Sequence, residues 1–154
     1  MRNILLIVAV FIGASAYVSA QPEGDSPNRG RLMWSAFTCA TFAELSGNEE
    51  EQTRLFAVGY AVGTEFVREV KEKTISESEF NAAPVGVLLT LGGPSVDFIV
   101  GRIFENAMND AFDSVVKEDS NGLTIPDPTK WARDELKAIR AENKYHNSNC
   151  ELLR

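Results

Sequence analysis

The sequence predicts an all-α fold, a small bundle of four to five helices closed by one disulfide. Apolar residues recur at spacings of three and four over several long segments, which is the periodicity of amphipathic helices. Cap residues and breaks that contain Gly or Pro separate these segments. Cys39 and Cys150, the two cysteines of the chain, lie near opposite ends of residues 31–154. That length is enough for one domain with its own core, so a single helical domain is expected there.

Residues 1–20 predict a secretory signal peptide. Arg2 is the one charged residue of this segment, residues 4–14 are apolar, and residues 18–20 (VSA) have the small side chains of a cleavage site. The alternative is an uncleaved membrane anchor, but the apolar core is too short to span a bilayer. The mature chain is therefore expected to begin near Gln21 and to be periplasmic or secreted.

The next ten residues, 21–30 (QPEGDSPNRG), are polar and predict a disordered leader. The chain has 15 Lys and Arg against 22 Asp and Glu, so loss of the signal segment, and of Arg2 with it, leaves 14 cations and a net charge of −8. This charge repels phosphate groups, which disfavours nucleic acid and anionic lipid as partners. No later apolar run, residues 84–91 included, reaches half the length of a membrane span, so no membrane contact is expected after removal of the signal.

Two long helices are predicted first, over residues 31–45 and 48–73. Asn48 and Glu51 have the spacing of a capping box at the start of the second. Each helix has an apolar stripe with helical spacing. The stripe of the first is Leu32, Met33, Ala36, Phe37, Ala40 and Ala43, and that of the second is Leu55, Gly59, Val62, Phe66 and Val70.

Gly59 and Gly63 lie four residues apart, on nearly one face of the second helix. A glycine inside a helix costs about 0.5 to 1 kcal/mol relative to alanine. Two of them predict that another helix crosses very close at this point. The alternative is a ligand that touches the backbone there.

The middle of the chain is less regular. Ser76 and Glu79 have the spacing of a second capping box, but Pro84 would break a long helix soon afterwards. Residues 85–91 are continuously apolar, and periodicity does not decide between a short buried helix and a strand, although a helix is favoured. Residues 92–95 (GGPS) then form a break.

The most regular helix is predicted over residues 95–117, with Pro94 as a residue of its first turn. Asp127 is expected to cap a last helix that Pro128 opens and that frays near Asn143. The apolar stripe of the 95–117 helix is Val96, Ile99, Val100, Ile103, Phe104, Ala107, Met108, Ala111 and Val115, and the last helix carries Trp131, Ala132, Leu136 and Ile139.

The predicted disulfide joins Cys39 to Cys150, because a pair of cysteines outside the cytoplasm is usually oxidised. By the chain-entropy treatment, closing this loop would stabilise the folded state by about 4.7 kcal/mol, less any strain in the bond. His146, the one histidine, lies among polar residues and is expected to be solvated. With no nucleophile, metal or cofactor motif in the sequence, we expect a protein that is not an enzyme, has no catalytic residues and binds neither cofactor nor metal. A pair of catalytic carboxylates of the glycosidase type stays an alternative, since the fold and not the sequence spacing brings such a pair together.

Residues 38–42 (TCATF), with Trp34 upstream and residues 57–61 (AVGYA) in the next helix, resemble the periplasmic acid-stress chaperones HdeA and HdeB. The resemblance implies a small secreted helical protein with one disulfide. It also implies a homodimer near neutral pH that becomes partly disordered in acid and binds unfolding clients. Acid would move the side-chain charge of the mature chain from −8 to +15, since 22 carboxylates are neutralised and His146 joins 14 cations.

A second resemblance is to small secreted immunity proteins that neutralise type VI secretion effectors. It rests on Gly59, Tyr60 and Gly63, on residues 84–87 (PVGV) and on the cysteine after the last helix. This resemblance implies a periplasmic protein-binding module that meets one protein partner through an acidic helical face. The sequence therefore leaves two functions open, an acid-stress chaperone and a binding module.

Overall fold

The computed structural model describes residues 28–154, and the predicted signal peptide and residues 21–27 of the predicted leader lie outside this range. Within it the chain forms six α-helices, two 3-10 turns and no strand, so the predicted all-α fold is confirmed. Four of the helices are long and two are short. They are α1 (Arg29–Ser46), α2 (Glu49–Glu72), α3 (Glu77–Ala82), α4 (Val85–Leu88), α5 (Val96–Val116) and α6 (Asp134–Asn147), with 3-10 turns at Pro128–Lys130 and Cys150–Leu152.

Helix α1 is the central element of the bundle. It packs against α2, α5 and α6, and half of its residues are buried. A helix covered on several sides needs apolar or small residues around its whole circumference, and residues 36–43 (AFTCATFA) supply them. The other long helices are amphipathic and turn one face towards α1.

Side-chain caps define most of the helix starts. The side chains of Asn48 and Ser76 accept hydrogen bonds from the backbone N–H groups three residues later, as predicted, and they begin α2 and α3. Asn28 does the same for α1, so the helix begins at Arg29 and residues 28–30 do not belong to a disordered leader. Ser95 caps α5, which places Pro94 before the helix rather than in its first turn. Residues 85–88 form a helical turn, α4, and not a strand.

The prediction for the last helix is wrong in its start and end. Of its four predicted apolar residues, Trp131 and Ala132 pack into the core before the helix begins, whereas Leu136 and Ile139 are not buried. Asp127 caps only the 3-10 turn Pro128–Lys130, after which the chain runs extended to Arg133 and α6 begins at Asp134. Helix α6 continues to Asn147, and Ala141 and Tyr145 are its buried residues. Leu136 and Ile139 are about half exposed, at 49% and 55%. The prediction counted the helical spacing from Pro128, whereas the helix begins at Asp134, and it therefore assigned the wrong residues to the buried face.

The core consists of two groups of buried side chains, one at each end of the bundle. We call the first the disulfide cluster, because it surrounds Cys39 and Cys150 and includes Leu55, Val115 and Tyr145. We call the second the Phe66 cluster. It comprises Met33, Phe37, Phe66, Val67, Ala83, Val87, Ile99, Val100, Ile103 and Ala107. No helix within residues 28–154 is long and apolar enough to cross a membrane.

Candidate functional site

Cys39 of α1 is joined to Cys150 by a disulfide, and the two positions are separated by 111 in sequence. Both sulfur-bearing residues are buried, at 2% and 0% exposure. The bond fastens the segment after α6 to the middle of the central helix. No cysteine of the described chain is free, so none is placed as a thiol nucleophile.

Gly59 and Gly63 lie where α2 crosses α1. A Cβ atom added at Gly59 would stand 2.6 Å from the ring of Phe37, and one at Gly63 would stand 2.5 Å from the sulfur of Met33. Both distances are shorter than van der Waals contact, so a larger residue at either position would force the neighbouring side chain to move. Packing between helices therefore accounts for both positions, and no bound ligand is needed to explain them.

An arginine and two glutamates connect three helices at the Phe66 end of the bundle. Arg29 of α1 donates two hydrogen bonds to the Glu69 carboxylate of α2, at 2.7 and 2.6 Å. It donates two more to the Glu79 carboxylate of α3, at 2.6 and 2.7 Å. We call Arg29, Glu69 and Glu79 the Arg29 clasp. These hydrogen bonds hold the pKa of Glu69 and of Glu79 below the usual value for a glutamate.

A second ionic group connects α2 to the C-terminal segment. Arg54 donates to the Glu51 carboxylate at 2.8 and 2.7 Å and to the backbone carbonyl of Leu153 at 2.6 Å. The hydroxyl of Tyr145 on α6 also donates to Glu51. We call Glu51, Arg54 and Tyr145 the Glu51 clasp. Hydrogen bonds from Arg54 and then Tyr145 lower the pKa of Glu51 to about 2, while burial and the bond to Glu51 raise the pKa of Tyr145 to about 12.

A shallow groove with an aromatic wall lies on the surface between the two clusters. Helices α1, α2 and α5 line it, and its volume is about 230 Å³. Phe56, which is 40% exposed, packs against Phe104 of α5 with ring centroids 5.1 Å apart and against Tyr60 at 6.1 Å. We call this feature the Phe56 groove. Its lining residues are Ala40, Thr41, Glu44, Gln52, Thr53, Phe56 and Phe104.

His146 is exposed, at the edge of an acidic cleft of about 460 Å³. Glu49, Glu50 and Glu142 line the same cleft, between the start of α2 and the end of α6. Residues 28–154 contain no group of three His, Cys, Asp or Glu side chains arranged to hold a metal ion. The cleft therefore supplies negative charge but neither a metal site nor an oriented base.

The sequence did not reveal the two clasps or the groove as units. Arg29 fell within the predicted leader, and its partners lie 40 and 50 residues away. Pairing at such a distance depends on how the helices pack and has no local pattern. Phe56 and Tyr60, at a spacing of four on the face of α2 that does not carry the predicted stripe, were the one available signal for the groove.

The comparisons with known proteins give no relative from which a site could be transferred. No family model, no curated protein and no solved structure matches this chain.

Proposed function

We propose that this chain is a small secreted or periplasmic protein, not an enzyme, that acts as an acid-stress chaperone in the manner of HdeA. The observation that supports the proposal most strongly is the position of the Arg29 clasp relative to the disulfide. The clasp closes the Phe66 end of the bundle with ionised carboxylates, while the disulfide holds the opposite end with a covalent bond. Protons can break the ion pairs of the first end, whereas they leave the covalent bond at the second end intact.

Proton uptake destabilises the clasps because the folded state needs their carboxylates ionised. The pKa values of Glu51, Glu69 and Glu79 are all lowered in the folded chain, so the unfolded chain takes up protons first as the pH falls. The stability that these groups contribute is present above the ordinary glutamate pKa of 4.5 and is lost as the pH falls below it. For Glu51 the loss extends to about pH 2. The same range converts the net negative chain into a positive one, which adds self-repulsion.

The surface that would bind clients is the Phe66 cluster. Ala83, just after α3, and Val87 of α4 cover this cluster, and the ion pairs of Arg29 tie α3 to α1 and α2. Loss of these ion pairs would leave α3 held by the hydrogen bonds that Asn28 and Arg31 donate to backbone carbonyls. The loosened α3–α4 segment would then expose buried apolar side chains such as Phe66 and Ile99. Exposed apolar surface of this kind is what an unfolding client can bind.

The test is a pH titration of the purified, oxidised protein with a client assay at its acid end. Near-UV and far-UV circular dichroism and sedimentation should show a transition to a loosened, disulfide-linked state between about pH 4.5 and pH 2. At about pH 2 to 3 the protein should suppress aggregation of an acid-sensitive client in proportion to its concentration. A chain that stays natively packed in this range and leaves client aggregation unchanged would refute the proposal.

A matched pair of variants connects the activity to the clasp. Glu79→Gln removes the charge that Arg29 binds, so its transition should occur at higher pH than that of the unmodified protein. Glu77→Gln changes an exposed glutamate in the first turn of the same helix and should leave the transition close to its original pH. Equal shifts in both variants would mean that total charge, and not the clasp, governs the transition.

The Phe56 groove favours a second candidate, a periplasmic binding module such as an effector immunity protein. Exposed aromatic side chains beside a pocket are typical of protein interfaces. Co-purification from periplasmic extract at neutral and acid pH tests this candidate. Recovery of no specific partner under either condition would count against it.

A further inference from the structure

We propose that the Phe56 groove binds a basic amphipathic helix of a partner protein at neutral pH. The inference rests on the second candidate function for the existence of a partner, and it is independent of the acid-chaperone proposal. Three features carry it: the size of the groove, an exposed glycine on the face of α5 that also carries Phe104, and the acidic side chains in and beside the groove.

The size of the groove fits a side chain better than a small molecule. Its volume of about 230 Å³ is below the range of about 300 to 1,000 Å³ that is usual for small-molecule sites. Its wall is formed by Phe56 and Phe104, and the fully buried ring of Phe37 lies directly behind, 5.9 and 5.2 Å from their centroids. A single large apolar side chain of a partner would fill this space against aromatic rings.

Gly101 of α5 provides room for a second backbone to approach. It lies four residues after Asp97 and three before Phe104, and therefore on the same face of the helix. A Cβ atom added at Gly101 would meet no atom within 4 Å, whereas Gly59 is in close contact with α1. Packing within the chain thus accounts for Gly59 but not for Gly101. An exposed glycine beside exposed aromatic rings fits an interface where another helix lies close.

The acidic side chains in and beside the groove select a cationic partner. Glu44 lines the groove, and Asp97 is connected to its aromatic wall, because it accepts a hydrogen bond of 2.9 Å from Tyr60, which stacks on Phe56. No lysine or arginine is among the residues that line the groove. The whole chain carries a net charge of −7, which attracts a basic partner over a distance as well.

Two other occupants are disfavoured by the same charges. A second copy of the chain would bring a net charge of −7 against an equal charge. The chain's own residues 21–27 (QPEGDSP) contain two carboxylates and no cation. A helix is favoured over a strand because the groove runs between helices, and the residues that form it offer no strand edge to extend.

The test uses three synthetic peptides of about 18 residues and the oxidised protein at neutral pH. The first is a helix with a leucine and phenylalanine stripe flanked by lysines, the second has glutamate in place of each lysine, and the third is a scrambled form of the first. Calorimetric titration should show the lysine-flanked helix binding at least tenfold more tightly than either of the others. Equal binding of the scrambled peptide, or no binding of the lysine-flanked helix, would overturn the proposal.

Two variants locate the binding, and a third controls for exposed apolar surface in general. Gly101→Leu fills the open space beside Phe104 with a better helix former, and Phe56→Ser removes the exposed wall. Each should weaken binding of the lysine-flanked helix at least tenfold, while their circular dichroism and unfolding curves show that the fold is kept. Leu136→Ser, at a position 49% exposed on α6, should bind as the unmodified protein does.

Unchanged affinity in both folded groove variants would place the peptide elsewhere and overturn the groove assignment, while a binding function of the protein would stand. Sedimentation of the protein alone tests the remaining possible occupant, a second copy of the chain. Self-association that Phe56→Ser abolishes would assign the groove to a second copy and would also overturn the proposal.

Discussion

Replacing Glu51 with glutamine should remove a defined, pH-dependent part of the free energy of unfolding. The Glu51 carboxylate receives hydrogen bonds from Arg54 and Tyr145, which lower its pKa from 4.5 to about 2. Glutamine keeps the shape of the side chain and an oxygen acceptor, but it carries no charge and does not titrate. The difference between the two proteins therefore isolates the ionised form of one carboxyl group.

The expected magnitude follows from the difference between the two pKa values. Each factor of ten in a proton-binding constant corresponds to about 1.4 kcal/mol, so a fall from 4.5 to about 2 sets an upper limit of about 3.5 kcal/mol at neutral pH. The side chain of Glu51 is 25% exposed, so solvent screens part of this interaction, and glutamine keeps some of the hydrogen bonding. We therefore expect Glu51→Gln to lower the free energy of unfolding by about 1 to 2 kcal/mol at pH 7.

Urea denaturation at several pH values between about 7 and 2 measures this effect. The difference between the unmodified protein and Glu51→Gln should be constant above about pH 5, decline as the pH falls and vanish near pH 2. Glu50→Gln, a change at the neighbouring exposed position, should cost less than about 0.5 kcal/mol at any pH. A loss at Glu51 that is the same at pH 7 and pH 2, or no loss at pH 7, would show that the ionised carboxylate does not stabilise the fold.

Three further predictions concern the disulfide, the glycines of the long helices and the order in which the helices open. Replacing both cysteines by serine should lower the free energy of unfolding by up to about 4.7 kcal/mol in urea denaturation, and an unchanged midpoint would contradict a stabilising bond. Gly59→Ala should lower the free energy of unfolding by about 1 to 3 kcal/mol, because its Cβ would meet the packed ring of Phe37. Gly63→Ala should lower it less, because its Cβ meets the flexible end of Met33, and Gly101→Ala, in open space, should raise it by about 0.5 to 1 kcal/mol. If thermal unfolding ranked the three variants in the reverse order of stability, this account of the packing would be wrong. In hydrogen exchange at about pH 3, α3 and α4 should exchange before the half of α1 that carries the disulfide, and uniform exchange would contradict opening from one end.

Local signals in the sequence predicted most of the helices. Asn48 and Ser76 cap helices where their side chains and the following residues indicated, and the glycine break after Leu91 ends the α4 region. Such signals act over three or four residues, so they can be recognised without knowledge of the packing. The disulfide could also be predicted without knowledge of the packing, because two cysteines allow a single connectivity.

Features that depend on tertiary packing were missed or misplaced. The extended stretch before Arg133 breaks a segment whose apolar spacing is compatible with one continuous helix, and the buried face of α6 follows from its contact with α1. Arg29 gave no sign of its role, since a single arginine in a polar segment is compatible with solvent exposure. Arg29 stabilises the fold through ion pairs with Glu69 and Glu79, which form only when the packing brings two other helices next to it.

The two proposals for this chain predict opposite dependence on pH because they use the same helices in different states. The Phe56 groove requires the folded bundle, since the buried ring of Phe37 behind its wall belongs to the Phe66 cluster. Opening of the Arg29 clasp would disrupt that cluster, so binding of the lysine-flanked peptide should be lost over the acid range in which client binding appears. Peptide affinity and client protection measured in one pH titration would therefore separate the two activities, and a groove that still bound the peptide at about pH 2 would contradict acid opening of this end of the bundle.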